Sequence, residues 1–311
     1  MRSDRRWRRP CREFDAGHSL LATGADGCIA LVGFRSSGSV VMAMLEIGSG
    51  DGLHYEYEPP RQGRPTIVFV NALTGSTAAW QGHVAPACRA VGLGTLCYNF
   101  RGQVDSPFSG DIAFSDDLIV ADLRRLMNAV APPRPVYCGL SIGGLYAARA
   151  ILEGAPAAGL ILLNTLREIG PRLRWINDAT FHAVKVGGFP LLMDMMLPLL
   201  TNPEFVEAQR PNHLQTTDYT PEDPSSGHFR LMATQADTDW NVDWAALTLP
   251  VLTVTGLCDR LFYDEAVVER LRELFADARH IDWPDCGHLV PAERPERLAQ
   301  AIVDFAGALP G

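Results

Sequence analysis

A serine stands between two glycines in Gly139-Leu140-Ser141-Ile142-Gly143, a spacing typical of a very tight turn. Residues 135–138 have the pattern of a short buried strand and residues 144–152 that of a helix, so the turn joins a strand to a helix. Such a turn lifts the hydroxyl of Ser141 clear of the sheet, and the amide of Ile142 points toward a developing oxyanion. The motif therefore predicts that Ser141 is a nucleophile, and the alternative is a glycine-rich turn with an incidental serine.

Two further polar side chains follow the ends of later predicted strands. Residues 249–256 form a buried-strand pattern that delivers Asp259 to a loop, and His288 follows a last strand near residues 278–283. Taken singly, each of them could be an ordinary loop residue. An aspartate that holds one imidazole nitrogen leaves the other free to take a serine proton. The order Ser141, Asp259, His288 at three strand ends therefore predicts a triad with Asp259 as the orienting acid and His288 as the base.

The order of these parts resembles the α/β-hydrolase superfamily over about residues 40–306. Residues 67–75 resemble the third strand and following loop of that family, where many members carry His-Gly and this chain has Asn71-Ala72. By this resemblance the backbone amide of Leu73 is the second oxyanion donor beside Ile142, while the hydrogen bonds that support the loop are left open. No cofactor and no metal are implied, because side chains and backbone supply every part of the chemistry.

Three functions are compatible with the resemblance. Asn-small-Leu in the loop after the third strand resembles 3-oxoadipate enol-lactonases, which implies a serine hydrolase that cleaves a carboxylic ester or lactone through an acyl-enzyme on Ser141. Residues 72–76 together with residues 259–262 resemble homoserine O-acetyltransferases, which implies an acyltransferase. A non-catalytic ligand-binding protein on the same fold is the third possibility. The complete triad, and the resemblance of residues 287–296 to capped hydrolases, favour the hydrolase with a small acyl ester or lactone as its partner.

Strand and helix patterns alternate along the chain, as they do in a doubly wound sheet. Strands are predicted at residues 40–47, 53–57, 66–70, 94–99, 135–140, 159–164, 249–255 and 278–283, and helices near residues 78–91, 115–130, 142–153, 263–275 and 294–306. The first two strands are expected to be antiparallel. The sequence therefore predicts an α/β fold with a mostly parallel eight-stranded sheet. Residues 99–106 resemble a structural segment of the family and are given no chemistry.

The interval 166–244 is too long for a simple crossover and contains no strand pattern. Helix-breaking pairs such as Gly187-Gly188 predict several short helices, which form a helical cap inserted after the sixth strand. Residues 39–165 and 245–311 then form the core domain. Apolar residues of the cap either line an acyl pocket over Ser141 or, as we expect for most of them, pack the cap on the core. These residues are Phe181, Leu191, Leu192, Met193, Met195, Met196, Leu197, Leu199 and Leu200.

Composition limits the class of protein and the compartment in which it is expected. The chain has 311 residues, 47% of them hydrophobic, and a net charge of −9, which permits a full core and argues against a nucleic-acid surface. No stretch of eighteen apolar residues occurs, so a membrane span is not expected. Seven cysteines, an odd number without a Cys-x-x-Cys pair, favour the cytoplasm over a disulfide framework. The oligomeric state is left open.

The amino terminus carries arginines throughout residues 2–12, a run that could indicate export. Lys185 is the only lysine of the chain, so arginine supplies nearly all of the positive charge everywhere and the run is not a specific signal. Residues 17–33 contain polar residues and several glycines, which is a poor hydrophobic region for a signal peptide. We therefore expect residues 1–38 to be a disordered extension rather than an export signal.

Overall fold

The computed structural model describes residues 34–35, 40–110, 112–214 and 218–310. The strands of these residues are β1 (Phe34–Arg35), β2 (Val41–Gly48), β3 (Asp51–Glu58), β4 (Thr66–Val70), β5 (Gly94–Tyr98), β6 (Pro135–Leu140), β7 (Gly159–Leu163), β8 (Val251–Gly256) and β9 (Ala278–Trp283). They form one sheet in the order β1-β2-β3-β5-β4-β6-β7-β8-β9. The eight predicted strands are all present, and β1 adds two residues at the edge.

The sheet is antiparallel at one end and parallel through the rest. Strands β1, β2 and β3 pair antiparallel, β3 pairs antiparallel with β5, and every later pairing from β5 to β9 is parallel. The predicted α/β fold with a mostly parallel sheet is therefore confirmed. Strand β1 falls within the predicted extension 1–38, most of which lies outside the described residues.

Helices cover both faces of the sheet. They are α1 (Ala78–Gln81), α2 (Val84–Ala90), α3 (Asp116–Val130), α4 (Ile142–Leu152), α5 (Pro171–Leu200), α6 (Pro203–Gln209), α7 (Gly227–Ala233), α8 (Glu265–Arg272), α9 (Val290–Glu293) and α10 (Pro295–Ala308). One buried cluster joins α3, α4 and α8 to the sheet, and a second joins α1, α2 and α10 to its other face. Strands covered on both faces are apolar throughout, which explains why β4, β5, β6, β7 and β8 are buried at every residue.

The interval between β7 and β8, the sixth and seventh of the predicted strands, is helical as expected. It contains α5, α6, α7 and short 3₁₀ turns. Helix α5 is interrupted at Gly188, whose φ is 69°, so it consists of two shorter helices that meet at the predicted glycine pair. The glycine takes a left-handed conformation without a steric penalty, and the helix resumes at once.

Helix α5 also has the length and composition of a membrane-crossing helix, with a mean hydropathy of 1.5 over its most apolar window. The sequence did not lead us to expect such a segment. The break at Gly188 leaves two halves, and neither reaches the roughly 20 residues that a bilayer-spanning helix needs. One face of α5 packs on the core through Ala183 and Val184.

Candidate active site

Ser141 occupies the tight turn between β6 and α4. Its φ of 57° and ψ of −122° are a strained combination for a residue with a side chain. The turn fits only because its neighbours are glycines: a Cβ at Gly139 would collide with the backbone of α4, and one at Gly143 would collide with the carbonyl oxygen of Val70. The amide of Ser141 donates to the carbonyl of Leu163 on β7 at 2.8 Å, which fixes the turn against the sheet.

Asp259 and His288 are hydrogen-bonded and buried, with exposed fractions of 3% and 5%. Nδ1 of His288 lies 2.6 Å from Oδ2 of Asp259, and Oδ1 accepts hydrogen bonds from the amides of Leu261 at 3.0 Å and Phe262 at 2.9 Å. Burial by itself raises the pKa of Asp259, but His288 and the Phe262 amide outweigh it and lower that pKa below its usual value. The carboxylate is therefore ionised, and it fixes the orientation of the imidazole.

Asn164, the residue after β7, ties together the loops that carry the acid and the base. Its Nδ2 donates to the carbonyl oxygens of Gly287 at 2.9 Å and His288 at 3.1 Å. Its Oδ1 accepts from the amide of Gly256 at 2.8 Å, at the end of β8. The sequence analysis did not identify Asn164, because its partners are about a hundred residues away in the chain.

Glu293 supports the His288 loop from the other side. One carboxylate oxygen accepts from the amide of Gly287 at 2.8 Å and the other from the amide of Leu289 at 2.9 Å, so the two residues that flank His288 are both held. The same carboxylate accepts from the amide and the side chain of Asn202 at 2.8 and 2.7 Å. This buried carboxylate therefore joins the base loop to the helical insertion.

We expect Glu293→Gln to lower the free energy of unfolding by about 1–3 kcal/mol, because an NH₂ group then faces a buried backbone donor and leaves it without an acceptor. Chemical denaturation measures the difference. Glu296→Gln is the matched control. It removes the same charge from the next helix, and the Glu296 side chain is exposed. Equal stability of the two variants would contradict the supporting role of Glu293.

The loop after β4 is held by side-chain amides. Nε2 of Gln103 donates to the carbonyl oxygens of Ala72 and Leu73, both at 2.9 Å, and its Oε1 accepts from Nδ2 of Asn71 at 3.0 Å. Oδ1 of Asn71 accepts from Nε1 of Trp80 at 2.7 Å. The support of this loop could not be predicted from the sequence, and these contacts supply it. Gln103 lies in the segment 99–106, for which only a structural role was expected.

A cavity of about 390 Å³ brings Ser141, His288, Leu73 and Ile142 together. Among the hydrogen bonds of the described residues, none uses the amide of Leu73 or of Ile142 as donor, so both are available to a ligand oxygen. Four of the nine apolar residues named for the insertion line this cavity, namely Leu192, Met193, Met196 and Leu200. A neighbouring cavity of about 510 Å³ is larger but contains none of the predicted site residues.

Arg167 is a site residue that the sequence analysis missed. It is 5% exposed, and its Nη2 donates to Oγ of Ser141 at 3.0 Å and to the carbonyl of Asn164 at 2.7 Å. The guanidinium lies between the rings of Trp240 and Phe262, 4.5 and 4.4 Å from their centroids. Burial lowers the pKa of Arg167 to about 10, which leaves the side chain cationic at neutral pH.

The hydroxyl of Ser141 has Arg167 as its partner in this arrangement, and within the described part of the chain no hydrogen bond joins it to His288. Oγ accepts from the guanidinium through one lone pair, so its own proton is not used by that bond. The only sequence signal for Arg167 is its place: it follows β7 by a few residues, at the sheet edge where the other site residues lie.

The comparisons with known proteins agree with this architecture. A family model described as alpha/beta hydrolase family matches residues 67–301. The chain is 22% identical over 268 residues to 3-oxoadipate enol-lactonase 1 of Acinetobacter baylyi, covering 86% of this chain and 97% of that protein. Two similar solved structures are MGS-M2, an alpha/beta hydrolase from a Medee basin deep-sea metagenome library, and the enol-lactonase from Burkholderia xenovorans LB400. The first has a TM-score of 0.73 at 18% identity, covering 86% of this chain and 98% of the other. The second has a TM-score of 0.67 at 23% identity, covering 83% and 97%.

Proposed function

The chain belongs to the alpha/beta hydrolase family, and on that premise we propose that it is a serine hydrolase that cleaves a carboxylic ester or lactone through an acyl-enzyme on Ser141. The observation that carries the proposal is the 2.6 Å hydrogen bond between Asp259 and His288, beside an apolar cavity that also holds the strained Ser141. A strained nucleophile with a base already oriented by a carboxylate is the arrangement that acyl transfer requires.

In the proposed reaction, Oγ of Ser141 attacks the substrate carbonyl while Nε2 of His288 takes the hydroxyl proton. The amides of Leu73 and Ile142 hold the oxyanion of the tetrahedral intermediate. The bond from carbon to the leaving alcohol then breaks, and the alcohol takes the proton back from His288. In the second half His288 takes a proton from water as the water oxygen attacks the acyl-enzyme. The bond between the acyl carbon and Oγ then breaks, His288 returns the proton to Oγ of Ser141, and the acid is released.

The helical insertion between β7 and β8 acts in this proposal as a cap. Its residues Leu192, Met193, Met196 and Met232 line the cavity that contains Ser141. Flexible methionine side chains adapt to irregular acyl groups. The identity of the acyl group is therefore set largely by the insertion.

We also infer a cytoplasmic location. The cysteines of the described residues are free, and they are Cys88, Cys97, Cys138, Cys258 and Cys286. Burial raises the pKa of Cys88 to about 12 and raises that of Cys138 well above its usual value, so both behave as small apolar residues. Free buried thiols are typical of proteins in a reducing compartment.

The experiment that tests the proposed function compares acyl acceptors. Purified protein is incubated with simple esters, with and without excess homoserine, and the products are identified by mass spectrometry. We expect free acid to be the main product in both cases, because His288 activates water without help from an added alcohol.

Two results would replace the proposed function. Dominant transfer of the acyl group to homoserine would make the protein an acyltransferase, since such a site must exclude water and bind the alcohol. Absence of turnover, together with no labelling of Ser141 by a fluorophosphonate, would favour a non-catalytic ligand-binding protein.

A further inference from the structure

Among the described residues, a positive charge in the cavity that holds Ser141 has no ion-pair partner. Arg167 lines this cavity, and within the described part of the chain no Asp or Glu lines it and none forms an ion pair with Arg167. The buried Nε of Arg167 has no hydrogen-bond partner. A buried cation without a partner is costly, and such groups are ordinarily paired.

The nearest carboxylate, Asp259, is not available to Arg167. Asp259 acts on the guanidinium only through its charge, because one of its oxygens binds His288 and the other binds the amides of Leu261 and Phe262. If Asp259 turned toward Arg167, the base would lose its orienting partner. Within the described ranges, no carboxylate is therefore free to pair with Arg167, which leaves room for an anionic group of a ligand.

The geometry of Arg167 suits a carboxylate. The rings of Trp240 and Phe262 lie within 4.5 Å of the guanidinium and hold its plane, so its donors point in fixed directions. A planar fork of N–H donors matches the two oxygens of a carboxylate better than it matches a neutral carbonyl. Apolar side chains supply much of the surrounding wall, for example Leu192 and Met196, which fits a short carbon chain.

We propose that Arg167 binds a carboxylate of the substrate, so that the preferred substrates are esters or lactones that carry a free carboxylate near the scissile carbonyl. Nη2 lies 3.0 Å from Oγ of Ser141, and hydrogen bonds between guanidinium and carboxylate are about 2.8 Å long. The carboxylate and the reacting carbonyl are therefore separated by a short spacer of about two or three methylene groups, at about 1.5 Å per carbon–carbon bond. This inference rests on the proposed function for its catalytic part, and its binding part is independent.

Matched substrates test the catalytic part. Monoethyl succinate and monoethyl glutarate are compared with the ethyl esters of the corresponding monoamides, which have the same size and no charge, and the released acids are measured. We expect kcat/KM to favour the carboxylates by about 100-fold or more in the wild type, because the neutral amide leaves the buried guanidinium unpaired.

Two variants separate the role of Arg167 from general damage. Arg167→Met should bring the ratio of kcat/KM for the carboxylates to kcat/KM for the monoamide esters close to one, whatever its absolute rates, and Arg167→Lys should keep part of that ratio because its charge remains. Arg124→Met is the control, since Arg124 is a partly exposed arginine whose ion pair with Glu153 lies on the surface. It should keep the full preference. Circular dichroism checks that each variant is folded.

A binding measurement makes the inference independent of turnover. Glutarate is titrated calorimetrically into Ser141→Ala and into Ser141→Ala combined with Arg167→Met, and we expect binding to the first only. If the wild type hydrolyses no ester and takes no fluorophosphonate label, the proposed function fails. Glutarate binding that depends on Arg167 would then still support the carboxylate site.

The other outcomes overturn the carboxylate site. Equal hydrolysis of charged and neutral esters by the wild type would refute the carboxylate site and leave the proposed function intact. A preference for carboxylates that survives Arg167→Met would also refute the site. The absence of both ester turnover and glutarate binding would refute it as well.

Discussion

Ser141→Ala is expected to abolish ester hydrolysis and fluorophosphonate labelling, with kcat falling on the order of 10⁴-fold or more. The variant keeps the cavity, the Asp259–His288 pair and the amides of Leu73 and Ile142, so it can still bind substrate. It has no oxygen that can form the acyl-enzyme. Initial rates with an activated ester and mass spectrometry of the labelled protein measure the two effects.

The variant should fold normally, because Ser141 already tolerates its strained conformation with a Cβ in place. Nη2 of Arg167 keeps its hydrogen bond to the carbonyl of Asn164 after the hydroxyl is removed. Ser225→Ala is a suitable control, since Ser225 is an exposed serine whose hydroxyl binds Asp223. Ester turnover that survives Ser141→Ala at the wild-type rate would refute the assignment of the nucleophile.

The fold was predictable because apolar strand patterns alternate with helical ones, and parallel strands buried on both faces leave a strong signal in the sequence. Strand β1 was not predictable, since two residues, Phe34 and Arg35, carry no periodic pattern; they pair antiparallel with β2. Helix α5 was expected to be several shorter helices. The pair Gly187-Gly188 predicted a break, and the backbone of Gly188 is non-helical there; Pro190 lies in the first turn of the second half, where proline is well tolerated.

Sequence order predicted that Ser141, Asp259 and His288 lie close together, because the carboxyl ends of neighbouring parallel strands meet at one edge of a sheet. The supporting residues could not be found in this way. Glu293 acts on amides of the His288 loop, and Gln103 acts on carbonyls about 30 residues earlier in the chain. Such contacts depend on how the loops approach one another, and no local pattern encodes them.

Arg167 could not be identified from the sequence for the same reason. In the sequence it is one arginine among many, and its burial between Trp240 and Phe262 arises only when the insertion packs over the sheet edge. Its contact with Ser141 likewise depends on the turn that holds the serine. The proposed reacting groups could therefore be named from the sequence, whereas Arg167, which we propose distinguishes substrates, could not.

Asp259→Asn is expected to lower kcat by on the order of 10⁴-fold while KM changes little, since the damage falls on the base and not on the cavity. An asparagine can present its NH₂ group to Nδ1 of His288, which favours the tautomer with its proton on Nε2 and leaves no lone pair to accept the serine proton. The amides of Leu261 and Phe262 can still bind the side-chain oxygen, so the loop should keep its conformation. Because the pKa of Asp259 lies below its usual value, the wild-type carboxylate stays ionised in mildly acidic buffer. Steady-state kinetics of both proteins over the mildly acidic to neutral range measure the effect. A variant that retains the wild-type kcat would show that the hydrogen bond between Asp259 and His288 is structural and that the base is oriented by other groups.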